Sequence, residues 1–300
     1  MSSSPAGAAG SVPSSPAGSP PRARAWSWTG APRAGARRGA GGASPAAVAA
    51  APGGGGGIGA VLARRFAAEG ARVVVGDLNG DAAAEVAKEI GGTAVAGDAA
   101  SEAGVASLIE AARETLGEID VFCANAGIAP MGGVDAPEED WARIWDVNVM
   151  AHVRAARLLL PPWLERGRGH FISTVSAAGL LTSLGSASYS VTKHGALAFA
   201  EWLSATYRHR GLTVQAICPQ GVRTAMLENT GPAGELLMGA SAIQPEQVAD
   251  ALFEAIAADR FLVLPHPEVA DYYAARATQT DRWLGGMNKL QRKVEQVTGE

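Results

Sequence analysis

Residues 53–77 read GGGGGIGAVLARRFAAEGARVVVGD, and the fold turns on how this stretch is read. Helical periodicity begins directly after the glycines, over 58–68. A short β-branched run, 71–77, follows and ends in the carboxylate of Asp77. Bare glycine backbone at a helix N-terminus can approach an anion closely, and the helix dipole favours negative charge there. The run alone decides little. Five consecutive glycines, Gly53 to Gly57, fit G-x-x-x-G-x-G and G-x-G-x-x-G equally, and would also serve as a flexible linker.

Asp77 sharpens the reading. It stands 20 residues beyond Gly57, at the end of an apolar strand. A Rossmann-type fold places there the acid that hydrogen-bonds an adenosine ribose. A turn or helix-start aspartate is the plainer alternative. A ribose-binding carboxylate would repel a 2′-phosphate, and neither Leu78 nor Asn79 supplies a cation to receive one, so NAD is favoured over NADP.

Outward from this stretch, strand and helix patterns alternate. Helix is predicted over 81–90, a strand over 93–96, and a helix to about 116 capped by Ser101. Strands follow at 119–124 and 170–175, with a helical region over 137–165 between them that Pro161 and Pro162 interrupt. A helix over 187–210, a strand over 212–218, a helix over 247–258 and a strand over 261–264 complete the pattern. A last helical stretch, 267–297, carries no motif and is expected to face solvent or a partner. Nearly continuous apolar strands alternating with helices indicate an α/β fold, a doubly wound parallel sheet covered on both faces.

Composition removes several function classes. Charges number 25 basic against 29 acidic, no footprint for nucleic acid. Cys123 and Cys218 form neither a disulfide framework nor a zinc-ligand pattern, and suit a reducing compartment. The charge-free stretches 39–63 and 169–192 are too rich in Gly, Pro, Ser and Thr to span a bilayer. Residues 1–18 lack the features of a signal peptide. A soluble, cytoplasmic protein is expected.

Residues 1–52 are Ser, Pro, Ala, Gly and Arg, without acid or lysine, and read as a low-complexity disordered extension or a start-site or reading-frame artefact. An organelle transit peptide ranks below these. Without its five arginines the remaining domain, 53–300, holds 20 basic and 29 acidic residues, about −9.

Tyr189-Ser-Val-Thr-Lys193 places a phenol and an ammonium one helical turn apart on one face. An ammonium there is expected to pull the phenol down from about 10 toward the working range of a general base. An incidental pair on an exposed helix is the bland alternative. The surroundings argue against it: Gly57-Ile-Gly59, Asp98 after the third strand, Asn125-Ala-Gly127 after the fourth, Asn148, Ser176, and Pro219-Gln-Gly-Val222-Arg-Thr224 after the sixth. In these motifs and their order the chain resembles the short-chain dehydrogenase/reductase family, in its short single-domain branch, from about residue 57 to 264.

The resemblance implies roles residue by residue. Tyr189 would be the acid/base, Ser176 would polarise the substrate oxygen, and Lys193 would hydrogen-bond the nicotinamide ribose. Asn148 would hold a relay water through a distorted helix. Gly53, Gly57, Ile58 and Gly59 would carry the phosphates, Asp77 the ribose, and Asp98 and Ala99 the adenine. Asn125, Ala126 and Gly127 would line the cleft, with Val222 and Thr224 at the carboxamide. No metal is called for. Met226, Leu227, Leu237 and Met238 lie where the family carries its lid. A homo-oligomer, dimer or tetramer, is implied, and Phe199, Trp202 and Leu203 could supply its face or simply pack in the core. His194 is expected off the Tyr/Lys face.

The expected activity is hydride transfer between NAD and a secondary alcohol or ketone. The alternatives are 3-oxoacyl thioester reduction, or a non-catalytic dinucleotide-binding protein if the first strand is damaged. That strand departs from the family: Ala46 to Ala51 is poor sequence for a central strand, and Pro52 removes a ladder donor. A frame or start-site error upstream of about residue 53 would explain it, and reading the nucleotide sequence in its other frames would decide it. Ala124 and Gln220 are milder departures.

Overall fold

The computed structural model describes residues 47–50 and 53–299. Seven parallel strands form one sheet in the order β3-β2-β1-β4-β5-β6-β7. They are β1 Ala47–Ala50, β2 Arg72–Asp77, β3 Thr93–Ala96, β4 Val121–Ala124, β5 Gly169–Thr174, β6 Leu212–Ile217 and β7 Leu262–Val263. The order reverses between β1 and β4, which opens a crevice at the carboxyl ends of the strands.

The weak first strand is present, and it is central. Its backbone pairs Val48 with Val73 of β2 and with Val121 of β4. Strand propensity reports side-chain packing, whereas the ladder needs only backbone groups. Arg72–Asp77 on one side and Val121–Ala124 on the other supply both ladders. The sheet thus takes in residues that the sequence division at residue 52 had left in the extension. Residues 1–46, 51–52 and 300 lie outside the described residues.

Helices cover both faces, and alternation along the strands divides the core in two. Val73, Val75, Val121, Cys123 and Ile172 face α1 (Gly57–Ala68), α2 (Gly80–Ile90) and α9 (Pro245–Ala257). Val74, Phe122, Ala124, Phe171 and Val214 face α3 (Glu102–Leu116), α5 (Ala151–Glu165) and α6 (Ala187–Tyr207). Phe122 and Phe171 stack across β4 and β5 with ring centroids 6.0 Å apart. The two sides follow from the period of two in a strand.

Pro161 and Pro162 do not interrupt the helix; α5 runs through both to Glu165. Without its N–H, Pro162 leaves the carbonyl of Leu158 unpaired. Arg113 fills the gap, donating from Nη2 to that oxygen at 2.7 Å. Ser101 caps α3 as expected, accepting from Gly104 N at 2.9 Å. The predicted last helix is two, α10 (Glu268–Thr278) and α11 (Thr280–Thr298), broken where Gln279 leaves helical geometry at φ −138 and ψ 50. Among the described residues no helix is long and apolar enough to cross a membrane.

Two buried histidines make the fold acid-sensitive. His170 Nε2 meets Gln215 Oε1 at 2.8 Å, and His152 Nδ1 meets Ser173 Oγ at 3.0 Å. Burial pulls His170 down to about 4 and His152 to about 3, from an ordinary 6.5. Between those values and 6.5 the unfolded chain binds protons that the folded chain refuses, so stability rises with pH there. The contribution is complete above pH 6.5 and is lost as pH falls toward 4 and then 3. Shifts of that size are worth about 3–5 kcal/mol per histidine, the larger for His152. The melting temperature is therefore expected to fall steeply below pH 6, and His152→Asn is expected to flatten part of that slope; an unchanged slope would contradict the assignment.

Candidate active site

The carboxyl ends of the strands open into a cleft of about 1120 Å³. It runs from Asp77, at the end of β2, past Asn125 after β4, to Ser176 after β5 and the segment 219–224 after β6. Tyr189 and Lys193 enter from the first two turns of α6. Ser186 starts that helix, its Oγ accepting from Tyr189 N and donating to Pro130 O at 2.6 Å.

Tyr189 and Ser176 line the cleft together, and the Ser176 hydroxyl favours the phenolate of Tyr189. Ser176 Oγ also accepts from Ala178 N at 3.1 Å, which fixes its direction. Lys193 is buried, donates from Nζ to Thr174 O at 3.1 Å, and lies 5.6 Å from the Tyr189 ring centroid. The expected depression of the phenol is not what the protein alone produces. Burial pushes Tyr189 up, with the Ser176 hydroxyl opposing it, and burial pulls Lys193 down to about 8. Each charged form loses water on burial, and that loss sets the direction of both shifts. Cys218 beneath the site is pushed to about 12 by burial and stays a thiol.

Asn148 is fully buried on a π turn, Asp146–Met150, that joins α4 (Glu138–Trp145) to α5. Its Oδ1 accepts from Ile128 N at 2.9 Å, and its Nδ2 donates to Ile128 O at 3.0 Å and Thr192 Oγ1 at 3.2 Å. The amide is thereby spent on holding the loop after β4 against α6. Gly127 fills the gap between: a Cβ there would lie 3.3 Å from Lys193 Nζ and 3.5 Å from Asn148 Oδ1.

At the other end, the glycine loop is tied to β2. Gly54 N donates to Gly76 O at 3.0 Å, and Gly55 N to Asp77 Oδ2 at 2.9 Å. Asp77 Oδ1 accepts from Asn79 N at 2.8 Å. Gly53 and Gly57 hold φ of +90 and +50, backbone that glycine adopts without strain. The first turn of α1 has no side-chain cap and no acid, so its amides point into the cleft mouth unsatisfied. Beyond Gly56 there is open space. Asn125 donates from Nδ2 to Gly53 O at 3.2 Å, while its buried Oδ1 has no partner among the described residues. Bare amides, open space and a carboxylate at these positions fit a dinucleotide.

Of the residues expected in the site, Gly53, Gly57, Ile58, Asp77, Asn125, Gly127, Ser176, Tyr189, Lys193, Val222 and Thr224 line this one cleft. Gly59 sits behind the loop, packed on Gly53, and Asn148 behind Gly127. Ala99 is buried and with Ala126 lines a small separate void, and Asp98 is exposed and outside the cleft lining, its Oδ1 accepting from Ala100 N at 2.9 Å. Met226, Leu227, Leu237 and Met238 all line the cleft. His194 bonds Ser190 O, away from the reaction site. Leu203 is core, whereas Trp202 is half exposed. The last helix is largely exposed, as expected, and its Trp283, Met287 and Leu290 also line the outer wall of the cleft. Their i, i+4, i+7 spacing was the available signal.

The chain is similar to known proteins along most of this domain. A family model described as short chain dehydrogenase matches residues 47–234. The 1-deoxy-11-beta-hydroxypentalenate dehydrogenase of Streptomyces exfoliatus is 38% identical over 221 residues, 70% of this chain and 80% of the relative. Among solved structures, a short chain dehydrogenase/reductase from Burkholderia phymatum in complex with NAD superposes with TM-score 0.72 at 28% identity, covering 79% of this chain and 94% of the other. A 3-ketoacyl-(acyl-carrier-protein) reductase from Brucella melitensis complexed with NADH gives TM-score 0.65 at 27% identity, over 72% and 94%. A doubly wound sheet with this cleft defines a nicotinamide-dependent oxidoreductase that acts on CH–OH groups. The chain belongs to the short-chain dehydrogenase/reductase family.

Proposed function

We propose that the protein is an NAD-dependent dehydrogenase that interconverts a secondary alcohol and a ketone, with Tyr189 as acid/base. The observation that carries this reading is the meeting of Ser176, Tyr189 and Lys193 at the inner end of a cleft whose outer end carries Asp77. Ser176 and Tyr189 hold the substrate oxygen between two hydroxyls, and Tyr189 accepts its proton. Lys193 carries its charge below about pH 8, holds the ribose end of the cofactor and favours the phenolate. The bound cofactor supplies the hydride acceptor. The main chain of the π turn around Asn148 holds the water that passes the proton outward.

The first ligands of α1 are the pyrophosphate oxygens, on the amides of Gly57, Ile58 and Gly59. The two oxygens of Asp77 keep free lone pairs for ribose hydroxyls beyond their amide bonds. A 2′-phosphate would face that carboxylate at a cost of about 1–4 kcal/mol. Titration with NADH and NADPH, followed by tryptophan quenching, is therefore expected to show NADH bound at least ~10-fold tighter. Asp77→Asn should narrow the gap. Equal binding of both would overturn the NAD assignment.

The likeness to a 3-ketoacyl reductase supports 3-oxoacyl thioester reduction as the second reading, and a substrate panel separates the two. An intact Ser176, Tyr189 and Lys193 cluster speaks against a non-catalytic protein. Cytoplasmic residence and a dimer or tetramer remain part of the proposal. Trp145 on α4, with Val191 and Trp202 on α6, is an exposed apolar group suited to a second copy.

A further inference from the structure

One side of the cleft is built by the loop after β6, residues 219–224, and by the lid that follows it. The lid holds α7 (Ala225–Glu228) and α8 (Gly231–Met238) and ends at a short turn, Gly239–Ser241. Loop and lid end meet again in a parallel bridge between Val222 and Ile243. Its bonds run from Ile243 N to Gly221 O at 3.1 Å and from Arg223 N to Ile243 O at 2.9 Å. One more step of that ladder would bring Gly221 N to Ser241 O. An imidazole takes that oxygen instead: His266 Nε2 donates to Ser241 O at 3.1 Å, and His266 Nδ1 accepts from Gln220 N at 3.1 Å. A backbone N–H only donates, so Nδ1 holds no proton and the two partners fix the tautomer.

His266 is 2% exposed and does not line the cleft, whereas Gln220 and Ser241 both do. Pro265 and Pro267 flank it at the corner between β7 and α10. Their rings each fix a backbone angle, so the imidazole stands on a stiff mount. The joint it serves is tight. A Cβ on Gly221 would lie 2.9 Å from both the Cβ and the carbonyl oxygen of Met238. A change in spacing here therefore moves Met238, Gln220 and Ser241, three residues of the cleft wall.

We propose that His266 is a positioning residue, a rigid spacer that holds the end of the lid at a set distance from the loop after β6 and so keeps the cleft shaped for substrate. Its bond to Ser241 holds the lid, and its bond to Gln220 holds the loop. The assignment deepens the alcohol/ketone reading and rests on it for what the cleft binds, but not for the clamp.

Two variants take the clamp apart. His266→Gln sets an amide N–H near the place of Nε2 and keeps the bond to Ser241. His266→Asn sets an amide oxygen near the place of Nδ1 and keeps the bond to Gln220. Each leaves one backbone group unpaired, so both are expected to melt below the parent by similar amounts. Lid opening is read by limited chymotrypsin digestion, with cuts within 225–242 located by mass spectrometry. His266→Asn is expected to speed those cuts ~5-fold and to raise KM ~5-fold for the secondary alcohol best turned over in a panel, the net worth of one hydrogen bond. Its kcat should stay within about twofold of the parent, because Ser176, Tyr189 and Lys193 are untouched. His266→Gln should stay within about twofold of the parent in digestion, KM and kcat alike. Equal changes in the two variants, in step with their melting temperatures, would make His266 merely structural and overturn the proposal. Parent-like digestion and KM in His266→Asn would overturn it too. A parent that forms no NADH from any alcohol would sink the oxidoreductase reading, and the digestion arm would still decide the clamp.

Discussion

Tyr189→Phe is expected to lower kcat on secondary alcohols by about 10²–10⁴-fold, the usual worth of a positioned acid/base. The substitution removes one oxygen and keeps the ring against α6. It therefore deletes the proton acceptor and the partner of Ser176 while leaving the helix face intact. The melting temperature should change little, because a single hydrogen bond of this type contributes about 1 kcal/mol. NADH affinity should also hold, since the contacts proposed for the dinucleotide lie on the α1 turn and Asp77 rather than on the phenol. Loss in kcat with retained cofactor affinity is the signature of a group used in the transition state. Activity within tenfold of the parent would assign the proton to another group and return the non-catalytic or alternative-base readings to consideration.

The parent's pH profile belongs to the same prediction. Alone, the chain holds Tyr189 protonated, because burial raises it and Lys193 is itself drawn down to about 8. The sequence reading gave the lysine the whole task of depressing the phenol, from a spacing of four residues. Spacing places the two groups on one face and says nothing of the water each loses. That desolvation is a property of the packed cleft, which the ends of β2, β4, β5 and β6 build together with α6.

Other parts of the site were legible for a plain reason: they are local. The α1 turn, the Asp77 strand end, and Tyr189 with Lys193 each lie within a short run whose periodicity shows its direction. Asn148 was legible as a residue and as a distorted helix, but not as the clamp on Ile128 and Thr192, which depends on contacts 20 and 44 residues away in sequence. β1 was legible only as a weak central strand, because propensity weighs side chains, whereas two backbone ladders hold it. The outer wall was hidden for a related reason. Trp283, Met287 and Leu290 repeat at helical spacing amid charged residues, and only the break at Gln279 turns that stripe back over the cleft.

Gly59→Ala is expected to weaken NADH binding by at least about tenfold and to lower the melting temperature by several degrees. A Cβ at residue 59 would overlap the carbonyl of Gly53 and lie 2.6 Å from Asn125 Nδ2. Neither neighbour is the free end of a flexible chain. Gly53 is backbone at φ +90, and Asn125 is held to that same carbonyl at 3.2 Å. The strain must then move either the glycine loop or the helix, and overpacking of this kind costs about 1–3 kcal/mol. Any such movement re-aims the amides of Gly57 and Ile58 and loosens the bond from Gly55 N to Asp77, so phosphate and ribose contacts weaken together. Gly56→Ala is the matched control, because a Cβ there meets nothing within 4 Å in the protein itself. It should leave the melting temperature alone, and any loss of NADH affinity it causes reports on the space the dinucleotide fills. Weakened cofactor binding in both variants, with destabilisation only in Gly59→Ala, would separate the glycine that shapes the turn from the glycine that admits the ligand. Full affinity in Gly59→Ala would mean that the dinucleotide does not rest on this turn.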